Sequence, residues 1–261
     1  MNILSLNRNQ IKYVVIAAML IDHVAWAWVP TASLLGQAMH FIGRLTGATM
    51  AFFVAEGYVH TRDVKKYALR LALFALASWP AFCLFEYGVF PVRFLPGHLS
   101  GTGVWCFYLS ARDMTLVIYP IFGVLYTLFL SLLAVWLWDS GRCPLPVRLA
   151  GVAALIYASR YGDWQYFDVL WALCFFIFRD KPRIKWAVFC VIAAFVYIEF
   201  TDWARPTASL FQLGVYLVPL LLIFCYNGEG GSKKAWHKWF FYVFYPAHLL
   251  ILAWLRFGLK L

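Results

Sequence analysis

The stretch Tyr13-VVIAAMLIDHVAWAW-Val29 is an apolar run interrupted only by two ionisable residues, Asp22 and His23. Its length approaches the roughly 20 apolar residues that cross a bilayer as a helix. Ala25-Trp26-Ala27 resembles a signal-peptide cleavage site, but the apolar run continues past it, so a retained span is expected. Ionisable side chains inside a membrane are costly to desolvate and mark functional sites by default. The stretch therefore predicts a first transmembrane helix that carries a candidate site.

The composition extends the membrane prediction to the whole chain. Of its 261 residues, 64% are hydrophobic and 13% are charged, whereas a soluble domain has about 45–50% and about 25%. Apolar runs lie at 11–29, 38–58, 66–85, 114–138, 146–158, 164–178, 184–200, 208–226 and 237–258. They predict an all-α, polytopic bundle of about nine transmembrane helices in one domain, 1–261, without an internal repeat. The runs 146–158 and 164–178 are short enough to be half-helices.

The connection between residues 86 and 113 is long and rich in Gly and Pro. Its aromatic patch, from Trp105 to Tyr108, predicts a re-entrant or interfacial segment. The six cysteines show no spacing typical of a metal site or a disulfide framework, so no metal is expected.

Lys and Arg are distributed unevenly between the two faces of the predicted bundle. With nine spans and a cytoplasmic N-terminus, Lys65, Lys66 and the basic loop 179–185 face the cytoplasm with most of the other lysines. Positive-inside sorting explains this distribution and predicts that orientation. Some basic loops could also hold a phosphorylated cytosolic ligand. Because the basic residues are dispersed among membrane loops, nucleic-acid binding is not expected.

The second predicted span offers partners for the first. Asp22 and His23 point about 100° apart on a helix, so they do not pair with each other. Arg44 lies near their depth in the outer half of the second span, four residues after His40. An ion pair between Arg44 and Asp22 would compensate both buried charges. The alternative interpretation is a buried polar cluster that only holds helices together.

The small residues Gly43, Gly47, Ala51 and Ala55 recur every four residues and predict close approach of a neighbouring helix. At the inner end of the same span lie Glu56, His60, Arg62, Lys65 and Lys66. These are either ordinary interfacial charges or groups that bind a cytosolic ligand.

The last span contains Tyr245, Pro246 and His248. Pro246 removes one helical hydrogen bond, and His248 adds a second histidine at mid-span. A neutral histidine can accept a proton from an amine or hydroxyl that attacks a thioester, and Arg44 or a second histidine could stabilise the developing oxyanion. The chain contains no Ser-His-Asp spacing, GxSxG, Walker loop or GxGxxG. The chemistry that His23, His248 and Arg44 permit is therefore acyl transfer with general acid–base catalysis.

Several separate motifs resemble the TraX family, in the expected order and across essentially the whole chain. They are Met19-Leu-Ile-Asp22-His23, Ile42-Gly43-Arg44, Phe52-Phe-Val-Ala-Glu56-Gly57-Tyr-Val-His60-Thr61-Arg62, Tyr161-Gly162-Asp163-Trp164, Tyr226-Asn227-Gly228-Glu229 and Phe241-Tyr-Val-Phe-Tyr245-Pro246-Ala-His248-Leu249. TraX proteins are inner-membrane proteins named for N-terminal acetylation of conjugative pilin. They are also similar to a wider superfamily of membrane acyltransferases that use cytosolic acyl-CoA.

The resemblance implies an acetyltransferase of the bacterial inner membrane with acetyl-CoA as donor. Catalysis is expected from His23, as general base, with Asp22, Arg44 and His248. Donor binding is expected from Glu56, His60, Arg62, Lys65, Lys66 and Tyr245. The acceptor would arrive from the outer side and is left open between the N-terminus of an exported, pilin-like protein and a glycan hydroxyl or amine.

Two other functions fit the same residues. A proton- or ion-coupled transporter could use the buried Asp, His, Arg and Glu as a path, and the two short spans weakly resemble interrupted carrier helices. A non-enzymatic membrane scaffold would use these residues only for packing.

Overall fold

The computed structural model describes residues 4–97, 106–111, 114–141 and 143–258. The helices are α1 (Arg8–Trp28), α2 (Leu34–Gly43), α3 (Thr46–His60), α4 (Val64–Tyr87), α5 (Val124–Asp139), α6 (Leu145–Ser159), α7 (Phe167–Ile177), α8 (Pro182–Phe200), α9 (Leu217–Phe224) and α10 (Ala235–Phe257), with a 3₁₀ segment at Pro206–Tyr216 before α9. Three strands, β1 (Val92–Pro96), β2 (Phe107–Ala111) and β3 (Met114–Ile118), complete the fold.

Helix ends follow local capping chemistry. Asn7 and Gln10 form a capping box at the start of α1, and the Asp63 side chain accepts a hydrogen bond from the Lys66 N–H at the start of α4. Gly88 ends α4 with φ of 64°, a left-handed conformation that glycine adopts without a Cβ penalty. Helix α10 continues through Pro246.

Five helical stretches of the described chain are long and apolar enough to cross a membrane. They are Arg8–Trp28, Leu34–His60, Val64–Tyr87, Pro206–Phe224 and Ala235–Phe257. Three apolar helices, α5, α6 and α7, are shorter, at 16, 15 and 11 residues. The structure thus supports a multi-pass membrane protein, but it does not establish nine spans.

The second predicted span is two helices rather than one. Helix α2 ends at Gly43, the chain bends at Arg44 and Leu45, and α3 begins at Thr46. Close packing surrounds the bend, because a Cβ on Gly43 would overlap the Asp22 side chain and a Cβ on Gly47 would lie 2.6 Å from the Trp164 ring. The small residues predicted at this face therefore let α1 and the loop before α7 approach.

The region between α4 and α5 differs from the prediction. The strands form an antiparallel sheet in the order β1-β3-β2, with Thr115 and Val117 of β3 buried on one face. The apolar run 114–138 is thus a strand followed by a helix, because its first five residues alternate in burial as a strand does. The sheet also makes the fold mainly helical rather than all-α. Trp105 of the predicted aromatic patch lies outside the described residues, whereas Phe107 and Tyr108 belong to β2.

The bundle has two ends that matter for function. We call one the strand end, where α4 and α10 end together, with Arg256 Nη1 donating to the Phe85 carbonyl, and where the sheet follows α4 in the chain. At the other, which we call the Arg8 end, Leu6 pairs with Tyr226 and Arg8 contacts Glu56. Between the two ends, α4 packs on α5 and α10, and α3 packs on α7.

Candidate functional site

A cavity of about 700 Å³, here called the main cavity, lies toward the strand end. Its walls come from α1, α2, α3, α4, α5 and α10, from the residues just before α5 and from the segment 160–165 that precedes α7. Three of the four residues predicted to be catalytic, Asp22, His23 and Arg44, line it. His248 is buried behind this wall and reaches the cavity only through His23.

Asp22 is held by two partners from the second span. Its Oδ2 accepts a hydrogen bond from Arg44 Nη2 at 2.8 Å, and its Oδ1 accepts one from His40 Nδ1 at 2.8 Å. The predicted Arg44–Asp22 ion pair is therefore present. His40 and Arg44 both reach Asp22 because they are four residues apart and so share a helix face.

Arg44 is further held by aromatic rings. Its guanidinium carbon lies 4.9 Å from the centre of the Trp164 ring and 5.3 Å from that of Phe211. A cation between ring faces gains electrostatic stabilisation in a desolvated site. Because Asp22 and the rings together fix its position, the guanidinium is a preorganised positive group beside the cavity.

His23 and His248 form a hydrogen-bonded pair between α1 and α10. His23 Nδ1 lies 3.2 Å from His248 Nε2, and His248 Nδ1 lies 2.9 Å from the Phe244 carbonyl oxygen. A carbonyl only accepts, so we assign the proton to His248 Nδ1, and Nε2 of the neutral ring then accepts from His23 Nδ1–H. With this assignment Nε2 is the unprotonated nitrogen of the His23 ring.

The floor of the main cavity includes Tyr245 and the start of α5. The Val124 N–H donates a hydrogen bond to the Tyr245 hydroxyl at 3.1 Å. Gly123, the residue before α5, has no side chain to cap the helix, and a Cβ there would overlap the same hydroxyl. Tyr245 thus closes the floor and caps α5 at once.

Further polar residues line the main cavity, and sequence reasoning gave no role to three of them, Asp163, Glu86 and Thr46. Asp163 and Glu86 place carboxylates on its wall, and Thr46 is 6% exposed with an Oγ1 that has no partner among the described residues. Asp163 is open to the cavity yet surrounded by protein. Desolvation raises the pKa of Asp163 to about 6, against a smaller opposing effect of Arg44. The Tyr161–Trp164 motif contained the one available signal for Asp163.

The residues predicted to bind the donor are divided between two places. Tyr245 lies at the main cavity, whereas Glu56, His60, Arg62, Lys65 and Lys66 lie at or near the Arg8 end. There Glu56 accepts hydrogen bonds from Arg8 Nε, at 2.9 Å, and from the Tyr226 hydroxyl. Both carboxylate oxygens of Glu56 are thus already hydrogen-bonded to protein groups.

A second cavity, of about 620 Å³, lies next to the main one. The two share a wall formed by Trp26, Arg44, Asp163 and Trp164. The rest of the second cavity comes from the loop between α1 and α2, the end of α8 and the 3₁₀ segment. Both cavities therefore adjoin loops at the strand end.

Comparisons with known proteins show which family this chain belongs to. The chain is 26% identical over 249 residues to the probable fimbrial assembly protein FimC, serogroup H1, of Dichelobacter nodosus, a match that covers 94% of this chain and 93% of that protein. No solved structure matches it. The family model described as TraX protein matches residues 7–256. The chain belongs to the TraX family.

Proposed function

We propose that this protein is an integral membrane acetyltransferase. It would transfer the acetyl group of cytosolic acetyl-CoA to an acceptor at the outer side of a bacterial inner membrane, with the N-terminus in the cytoplasm. The observation that carries the proposal is the His23 ring, which lines a large cavity and whose Nδ1 lies within hydrogen-bond distance of a second histidine. Membership of the TraX family and the fimbrial name of the relative support a protein N-terminus as the acceptor.

In the proposed reaction the acceptor nitrogen attacks the carbonyl carbon of the acetyl thioester, and a C–N bond forms. His23 Nε2 takes the proton that this nitrogen loses. When the tetrahedral intermediate collapses, the C–S bond breaks, and the sulfur leaves with the bonding electrons and receives the proton from His23. The products are an acetylated acceptor and free CoA, with no change of oxidation state.

The other residues of the site have distinct parts in this proposal. His248 holds His23 in the tautomer that leaves Nε2 unprotonated. Arg44, fixed by Asp22, and the Thr46 hydroxyl supply positive charge and a hydrogen-bond donor for the oxyanion. Such groups are most effective when they are preorganised in a site shielded from water.

The donor has to bridge the two ends of the bundle. Arg8 and His23 lie about 22 Å apart along α1, at 1.5 Å per residue. We propose that the phosphates of acetyl-CoA bind among the basic residues at the Arg8 end, including Arg62, Lys65 and Lys66, while the thioester reaches past Tyr245. The side chain of Tyr245 would have to move for the acetyl group to enter the main cavity from the Arg8 end.

The proposal is tested with the purified full chain in lipid nanodiscs, labelled acetyl-CoA and a short peptide with a free N-terminus. His23→Ala is expected to lower acetyl transfer about 100-fold or more, the usual contribution of a general base. His237→Ala is the matched control, because His237 lies at the Arg8 end and bonds Tyr13. Equal transfer by wild type and His23→Ala would overturn the mechanism. Solute uptake into proteoliposomes without any acetyl transfer would favour the transporter instead.

A further inference from the structure

The second cavity contains a buried side-chain oxygen without a partner, that of Gln212. Gln212 lines this cavity and is 6% exposed, and its buried Oε1 has no hydrogen-bond partner among the described residues. Buried polar groups are almost always paired, so an unpaired amide oxygen at a cavity wall calls for an explanation. A ligand that supplies the missing hydrogen-bond partner is one such explanation.

The neighbouring Gln37 shows that Gln212 is not needed to hold this wall together. Gln37 Nε2 donates to the carbonyls of Thr31 and Ala208, at 2.6 and 2.7 Å, and its Oε1 accepts from the Phe211 N–H at 3.0 Å. Gln37 thereby ties the loop after α1 to the 3₁₀ segment. Gln212 lies 175 residues after Gln37 in the chain, and its Oε1, unlike that of Gln37, is left without a partner among the described residues.

The chemistry of a carboxamide indicates what could pair with Gln212. It offers one acceptor oxygen and two N–H donors on a planar fork. In an extended chain, the N–H and C=O of one residue point to the same side, as they do in the paired residues of antiparallel strands. One extended peptide residue can therefore satisfy both ends of the amide.

The rest of the second cavity suits a neutral, partly apolar segment. Trp26, Phe200 and Phe211 give it aromatic walls. At its rim Asp202 and Arg205 form an exposed ion pair at 3.3 Å, so the two charges there largely offset each other. Asp163 lies on the wall shared with the main cavity, where a carboxylate attracts an ammonium group.

We propose that the second cavity binds the segment of an extended polypeptide that follows its reacting N-terminal residue, with Gln212 pairing to the backbone N–H and C=O of one residue. The amino group then passes Asp163 and enters the main cavity beside His23. This inference rests on the proposed acetyltransferase function, and it makes Gln212 a determinant of acceptor length and backbone.

The test compares acceptors of increasing length with the full chain in nanodiscs and labelled acetyl-CoA. The acceptors are alanine amide, tetra-alanine amide, tetra-alanine amides N-methylated at one backbone nitrogen at a time, and a glucosamine tetramer. Wild type is expected to use tetra-alanine amide best, and N-methylation at one position is expected to remove the advantage. Gln212→Ala is expected to lower the ratio of kcat/KM for tetra-alanine amide to that for alanine amide about tenfold, the value of one or two hydrogen bonds.

Gln212→Glu and Gln37→Ala serve as comparisons. Gln212→Glu keeps the size of the side chain but loses the N–H donors, so the length preference is expected to fall as in Gln212→Ala. Gln37→Ala is expected to lower the thermal unfolding midpoint more than Gln212→Ala does. Folding of each variant is checked by that midpoint.

The outcomes separate the two proposals. If wild type prefers neither longer peptides nor unmethylated ones, or if Gln212→Ala lowers transfer to both alanine acceptors equally, the subsite is overturned while the acetyltransferase stands. A preference for the glucosamine tetramer that depends on Gln212 overturns the polypeptide assignment. If wild type acetylates no acceptor, the acetyltransferase fails. Binding of fluorescent tetra-alanine amide to wild type, weakened about tenfold in Gln212→Ala, would then still support the subsite, and equal binding would overturn it.

Discussion

A carboxylate lies at each end of the bundle, and each is held by an arginine and a second side chain. At the strand end Asp22 binds Arg44 and His40, and at the Arg8 end Glu56 binds Arg8 and Tyr226. The chemistry is nearly the same, but the surroundings differ. Asp22 lines the main cavity and precedes His23, which lines it too. Glu56, in contrast, joins α3 to the start of α1 and to the chain after α9.

This comparison separates two uses of a buried ion pair. The Glu56 cluster lies where the segment before α1 pairs with the chain around Tyr226, so its contacts fix chain segments that are distant in sequence. The Asp22 cluster fixes the position of a cation beside a space large enough for a substrate. A charged pair thus points to catalysis when the groups that it orients face a cavity.

The largest expected effect comes from Asp22→Asn. The change leaves Arg44 buried without its counter-ion, and breaking a buried pair in this way typically costs about 3–5 kcal/mol. We expect a lower thermal unfolding midpoint together with a loss of acetyl transfer that exceeds the loss of folded protein. The unfolding midpoint and the activity per folded molecule check this. Full activity per folded molecule would mean that the Asp22 cluster, like the Glu56 cluster, contributes to stability rather than to catalysis.

Gly43→Ala tests whether close packing positions the Asp22 cluster. The added Cβ would overlap the Asp22 side chain, and overpacking of this kind costs about 1–3 kcal/mol. We expect reduced stability and reduced activity together. Gly141→Ala is the matched control, because a Cβ there meets nothing within 4 Å. If both variants behave like wild type in thermal unfolding and transfer assays, the approach of α1 and α2 does not position the site.

Glu56→Gln probes the other side of the comparison. Loss of the charge-assisted hydrogen bond to Arg8 is expected to cost about 1–2 kcal/mol, since the pair is only partly buried. We expect the unfolding midpoint to fall while kcat per folded molecule stays close to wild type. The KM for acetyl-CoA, measured in parallel, tests the predicted donor-binding role. A large rise in that KM without destabilisation would move Glu56 from structure to function.

The smallest expected effect is the pH dependence that Asp163 contributes. Its pKa is raised to about 6 in the folded protein by desolvation, above the value of about 3.9 for an unfolded aspartate. The folded state therefore binds more protons between these values, and the stability from this group is present below pH 4 and lost as the pH rises to 6. Asp163→Asn is expected to flatten this part of the curve of unfolding midpoint against pH. An unchanged curve would contradict it.

Much of the Asp22 cluster was predictable because its residues lie on helices with regular spacing. The depth of Arg44 in the second span predicted its ion pair, and the mid-span position of His248 predicted a second histidine near the first. Asp163, Glu86 and Thr46 could not be placed in this way. Asp163 comes from a loop in which Gln165 adopts a positive φ of 46°, and tertiary contacts rather than periodicity set such a conformation.

The fold shows the same division between local and tertiary information. Long apolar runs predicted most of the helices, and the ends of α1 and α4 are seen to follow local capping chemistry. The strand at residues 114–118 was missed because a short, mostly apolar stretch at the start of a longer run does not distinguish a strand from a helix. The number of spans was also beyond sequence reasoning, since α7 has only 11 residues and its depth depends on its neighbours.

The hydrogen bond from the Val124 N–H to the Tyr245 hydroxyl links opening of the cavity floor to the stability of α5. Since the Tyr245 hydroxyl occupies the capping position at the start of α5, any movement of α10 that opens the floor leaves the first N–H of α5 without a partner. A lost helix cap costs about 1 kcal/mol. That amount makes the closed floor about five times more populated than it would be without the bond. The closed floor of the main cavity is thus stabilised in part by the cap of a helix on its far side.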